Sequence, residues 1–99
     1  MAIVVNETGR DIRFVYGGVQ YVIKNGEEAD IPDMVASLYL GYGLDKAQIA
    51  DMIDIIISRV KACNPDIAVM TNKDIWDNII LKFHIGKKAI EEIKKKARK

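Results

Sequence analysis

At Pro32 the spacing of apolar residues changes from every second position to every third or fourth. That switch sets what the chain can fold into. A period of two places alternate side chains on one face of a strand, while a period near 3.6 lines them along one side of a helix. Strand-forming sequence followed by helix-forming sequence predicts an α+β fold. We expect a small antiparallel sheet over residues 1–31, then three to four helices over residues 32–99, packed on the sheet's apolar face. At 99 residues the chain has the length of one small domain. Apolar residues make up 49% of it and charged residues 29%, which suits a globular core beneath a solvated surface.

In the first part, Ile12–Tyr16 and Val19–Ile23 flank Gly17-Gly18. A two-residue hairpin connection uses a primed turn, whose positive φ angles glycine adopts without strain. Pairing across it sets Tyr16 opposite Val19, Phe14 opposite Tyr21 and Ile12 opposite Ile23, all on one oily face. Arg13, Val15, Gln20 and Val22 fall on the other, mixed face and are candidates for contact with a neighbouring protein. A hairpin alone is marginal, so a third strand is expected. Residues 2–5 are the natural candidate, and a short strand over residues 29–31 follows the Asn25-Gly26 turn.

In the second part, Pro32 is placed to open a helix bearing Met34, Val35, Leu38 and Tyr39, which Gly41-Tyr42-Gly43 stops. Asp45 can cap a second helix that runs to about residue 63, ahead of Asn64-Pro65. Its apolar stripe is Ile49, Met52, Ile53, Ile56, Val60 and Cys63, with Asp51, Asp54, Ser58 and Lys61 opposite. Ile55 and Ile57 make that stripe wider than one core face needs. Either the helix is covered on two sides, or these two residues belong to a subunit interface. Thr71-Asn72-Lys73-Asp74 resembles a capping box for a third helix over about 73–85, with Ile75, Trp76, Ile79, Ile80 and Phe83 inward. Beyond Gly86 a charged helix is expected, with Glu91 set against Lys95 and Glu92 against Lys96.

The net charge of +1 conceals a division. Lys87, Lys88, Lys94, Lys95, Lys96, Arg98 and Lys99 stand against Glu91 and Glu92, a net of +5, so the preceding 86 residues carry −4. Such a tail suits an acidic surface or nucleic acid, or is simply a solvated helix. The single cysteine, Cys63, has no partner for an internal disulfide, and its expected place is in apolar packing. The N-terminal residues lack a signal-peptide pattern, and no apolar run approaches the length that crosses a bilayer. No membrane partner is expected.

Candidates for chemistry each have a simpler role. The one histidine, His84, is expected at a helix end near Gly86, facing helix carbonyls, with no neighbouring residue in sequence to complete a triad. One His and one Cys offer no zinc-ligand spacing, and Asp51 and Asp54 lie on the polar side of their helix. The glycines at 17, 18, 41 and 43 match no phosphate-binding loop. The expectation is a chain that is not an enzyme and takes no cofactor. Nucleic-acid binding is the competing reading: helices over about 73–85 and 87–98, joined at Gly86, resemble a helix-turn-helix. The second of these has no Asn, Gln, Ser or Thr to reach base edges, so its cations would meet phosphates without reading sequence.

From Ile12 to Ile23, then through Lys24-Asn25-Gly26-Glu27-Glu28-Ala29-Asp30-Ile31-Pro32-Asp33-Met34-Val35-Ala36, the sequence resembles small virion proteins of tailed bacteriophages. Their N-terminal halves run as an aromatic hairpin, a Gly-Glu turn, a short strand ending in Pro and a helix, often followed by a stretch like Leu40-Gly41-Tyr42-Gly43-Leu44. The likeness covers roughly residues 10–45. It implies a structural component of the head or the head–tail junction, a capsid auxiliary protein or an adaptor near the portal. Its implied partners are capsid, portal or adaptor subunits in a multimeric assembly, with packaged DNA a further partner for the basic tail. No catalytic residue comes with the resemblance.

Overall fold

The computed structural model describes residues 1–86 and residue 91. Strand β1 (Ala2–Asn6) is followed by β2 (Ile12–Tyr16), β3 (Val19–Ile23) and β4 (Glu28–Ile31). Helices α1 (Asp33–Leu40), α2 (Lys46–Cys63) and α3 (Asn72–Asn78) come next, with a 3-10 turn at Pro65–Ile67 and another at Ile80–Lys82. The last described strand is β5 (Phe83–Ile85). The arrangement is α+β.

The strands form two sheets. β1 lies between β4 and β5 in a three-stranded antiparallel sheet, and β2 pairs with β3 in a two-stranded one. The hairpin register is the one the Gly-Gly turn dictates, with Tyr16 opposite Val19 and Ile12 opposite Ile23. The expected third strand does form at β1, but it does not extend the hairpin, because both its edges are taken by β4 and β5. At the end of β1 the buried side chain of Asn6 joins the two sheets. Its Nδ2 donates to the carbonyls of Arg10 and Ile23 at 2.8 Å each, and its Oδ1 accepts from the Thr8 amide and hydroxyl.

One hydrophobic cluster draws on every strand and helix, from Ala2 through Ile31, Val35, Ile56 and Ile75 to Phe83. Phe14 is fully buried near its centre, with ring centroids 4.9 Å from Tyr39 and 5.6 Å from Phe83. Asp45 caps α2 as the sequence indicates and does so reciprocally with Gln48: each side chain accepts from the other's backbone amide. Thr71 caps α3 by accepting from the Asp74 amide at 3.1 Å.

The third helix is shorter than its apolar pattern predicts. It ends at Asn78, and the chain passes through a 3-10 turn into β5. Two causes act together. The β-branched pair Ile79-Ile80 weakens helix propagation, and β1 presents an edge on which Val4, Val5 and Asn6 pair with Ile85, His84 and Phe83. Gly86 therefore follows a strand rather than a helix, so the helix over about 73–85 that the competing helix-turn-helix reading places directly before it ends at Asn78 instead. The charged helix expected beyond Gly86 and its cations from Lys87 to Lys99 lie outside the described residues.

Candidate protein-interaction surface

The hairpin turn places Gly17 at φ 59° and Gly18 at φ 79°, the pair of positive angles a primed two-residue turn requires. With the register so fixed, Ile12, Phe14 and Ile23 enter the core and Tyr21 packs at its margin. Arg13, Val15, Gln20 and Val22 all face outward and are exposed, as the alternation predicts. Val15 is 43% accessible and Val22 44%. Tyr16 and Val19 sit on the inner face, yet the hairpin tip extends past the core and leaves both exposed.

The β2 edge of the hairpin is held by helical side chains. The buried Asn64, just past α2, accepts from the Arg13 amide at 2.8 Å and donates to the Arg13 carbonyl at 2.9 Å, so its amide acts as a one-residue strand. The same nitrogen donates to the Val60 carbonyl at 2.9 Å. Further along, the Tyr39 hydroxyl donates to the Val15 carbonyl at 2.6 Å and accepts from the Cys63 thiol at 3.4 Å. Burial, reinforced by the Cys63 contact, raises the Tyr39 pKa above the ordinary tyrosine value.

Beside this joint an open cleft of about 480 Å³ is lined by Arg10, Arg13 and Val22 on the hairpin side and by Cys63, Asn64, Pro65 and Asp66 beyond α2. Arg10 and Asp66 approach to 3.8 Å across it, an exposed pair that adds little stability. The cleft thus continues the hairpin's outer face, so Arg13 and Val22 belong to both.

Ile55 and Ile57 separate. Ile55 is 48% exposed, in a shallow depression with Ser58, Arg59 and Ala62, and shares no lining residue with the cleft. Ile57 is 3% exposed and belongs to the core, so its place at an interface is withdrawn. The reason is angular: two residues along a helix are about 200° apart, so Ile55 and Ile57 cannot share a face. Arg59 donates to the Leu38 carbonyl at 3.1 Å and ties α2 to the end of α1.

His84 lies on β5 rather than at a helix end, with Nε2 3.1 Å from the Glu7 carboxylate. Asp51 and Asp54 are exposed on α2. Among the described residues no three His, Cys, Asp or Glu side chains gather as a metal site, and no helix is long and apolar enough to cross a membrane. Sequence reasoning missed Asn6 and Asn64, whose types alone read as a strand end and a helix stop. The one hint was Pro65, which forces the helix to finish at Asn64. Among known proteins, no family model, curated protein or solved structure matches the chain.

Proposed function

We propose that the chain is a non-catalytic structural component of a tailed-phage virion, a capsid auxiliary or head–tail adaptor protein, and that it acts through contacts with other virion proteins. The observation that carries this reading is the hairpin's outer face. Val15 and Val22 stand exposed beside Arg13 and Gln20, and the face runs on into an open cleft. Val15 stands opposite Gln20 and Val22 opposite Arg13, and such a mixture of apolar, polar and charged side chains suits a protein contact. The stretch that resembles phage virion proteins, residues 10–45, contains this hairpin, β4 and α1. The residues that carry the resemblance therefore also display the surface.

Mass spectrometry of purified particles from the producing strain tests the reading. The chain is expected at a fixed copy number relative to capsid and portal subunits. A Val15→Glu/Val22→Glu double variant is expected to fold, because both side chains face solvent, but to be left out of particles. Absence of the wild-type chain from particles would overturn the assignment. Salt-dependent binding to duplex DNA that disappears when residues 87–99 are deleted would favour a nucleic-acid-binding regulator instead.

A further inference from the structure

We infer that the outer edge of β3 pairs, antiparallel, with the same edge of a second copy of this chain, with Tyr21 facing Tyr21 of the second copy. The pairing rests on the backbone of β3 and is independent of the virion reading.

The first observation is the direction of the backbone groups. Next to a two-residue turn the closing pair, Tyr16 with Val19, exchanges hydrogen bonds, and bonded and non-bonded pairs then alternate along the ribbon. Arg13 with Val22, and Val15 with Gln20, are the pairs whose N–H and C=O groups point away from the hairpin. The β2 side bears this out, since Asn64 takes both backbone groups of Arg13 and Tyr39 takes the Val15 carbonyl. By the same alternation the N–H and C=O groups of Gln20 and Val22 point out from β3. Among the described residues no third strand meets them in a sheet of order β2-β3, and both residues are exposed.

The second observation is that this edge is unguarded. Proteins protect free strand edges with charges, prolines or very short strands. β4 carries Glu28 and Asp30 and runs into Pro32, and β5 is only three residues long. The β2 edge is covered by Asn64 and Tyr39. β3, by contrast, is five residues of Val-Gln-Tyr-Val-Ile, with neither charge nor proline.

The third observation selects the occupant. The outward-pointing residues, Gln20 and Val22, flank Tyr21 symmetrically. A two-fold axis at Tyr21 then sets Gln20 against Val22 of the second copy and Val22 against Gln20, which closes four N–H···O bonds. The uncharged strand brings no like charges together across the axis. On the inner face the same register sets Val19, 51% exposed in the single chain, opposite Ile23 of the second copy, whose side chain is buried in that copy's own core. A foreign extended segment would meet the same backbone groups, but only the chain's own edge has its symmetry built in.

Sedimentation equilibrium of the purified full chain, over roughly a hundredfold range of concentration, should show reversible monomer–dimer exchange. Val22→Pro removes an outward N–H that serves no hairpin bond, a position where an edge strand accepts proline. It is expected to weaken the dimer roughly thirty-fold or more, from two lost hydrogen bonds per pair. Should that variant fail to fold, cross-linking decides. In a Cys63→Ser background, Tyr21→Cys occupies a non-hydrogen-bonded cross-strand pair, close enough for a disulfide between copies. Val19→Cys faces Ile23 of the second copy and should not cross-link to itself. A chain that stays monomeric throughout, a dimer indifferent to Val22→Pro, or faster cross-linking through Val19→Cys would each overturn the pairing. So would a chain that stays monomeric yet binds an extended peptide of another protein along β3.

Discussion

The two sheets treat their surfaces in opposite ways. In the three-stranded sheet β1 is paired on both sides, and four of its five residues are buried. In the hairpin one face enters the core and the other faces solvent, while one edge is sealed by Asn64 and Tyr39 and the other meets no strand among the described residues. Strand sequences of similar apolarity therefore do different jobs. β1 organises the fold, since its neighbours come from residues 28–31 and 83–85 and bring both ends of the described chain together. The hairpin is anchored by one face and displays the other. The comparison predicts large costs where the two sheets are joined or anchored, and small ones on the displayed face.

The largest effect is expected at the anchor. Phe14 is fully buried between Tyr39 and Phe83, so Phe14→Ala removes the side chain that holds the hairpin to both α1 and β5. The expected loss is about 4 kcal/mol in urea unfolding, from the cavity and the lost burial together. That is a large share of the roughly 5–15 kcal/mol available to a domain. A loss below about 1 kcal/mol would mean that the hairpin is not held through this ring. Asn6→Ala follows at about 3 kcal/mol, because it leaves the Ile23 carbonyl and the Thr8 amide without their partner and removes one of the two donors to the Arg10 carbonyl. Since Asn6 bridges the sheets, hydrogen exchange should accelerate in β1 and in the hairpin together. Asn64→Ala should accelerate it mainly at Arg13.

Which of these features the sequence discloses depends on how local their causes are. The hairpin register is set by two adjacent glycines, and the bounds of α2 follow from Asp45 at one end and Asn64-Pro65 at the other, so both can be read along the chain. β5 cannot. Its three residues are extended because β1, almost eighty residues earlier, offers them an edge, and in isolation Phe83 continues the helical spacing of Ile75, Ile79 and Ile80. Ile57 was ambiguous because a broad apolar helix face has the same composition whether a core or a partner covers it. Asn6 and Asn64 are structural because of the backbone groups that tertiary packing brings to them, and residue type alone carries no trace of that.

A smaller, pH-dependent effect separates the sealed edge from the open one. The Tyr39 hydroxyl is buried against Val15 and Cys63, and its pKa lies above the ordinary value. Below about pH 10 the tyrosine is neutral in both folded and unfolded chains, and its contribution is fully present. As pH rises past that point the unfolded chain ionises Tyr39 first, so stability falls until the raised folded pKa is reached. The slope from this group is at most about 1.4 kcal/mol per pH unit. Unfolding free energies measured across the alkaline range should show this decline, and Tyr39→Phe should remove this group's share. At neutral pH Tyr39→Phe should itself lose about 1 kcal/mol, the worth of one buried hydrogen bond.

The smallest effect on stability is expected on the displayed face, and there it is the most informative. Val15→Thr and Val22→Thr keep a β-branched side chain that suits a strand, and both positions face solvent. Each should change stability by less than about 0.5 kcal/mol, against about 4 kcal/mol for Phe14 one residue away on the opposite face. If Val15 and Val22 form part of a contact, the same two substitutions should reduce incorporation into particles while the unfolding curve stays where it was. A large stability loss with unchanged incorporation would mean that this face packs within the chain itself. A loss of incorporation without loss of stability separates a surface kept apolar for a partner from one kept apolar for the fold.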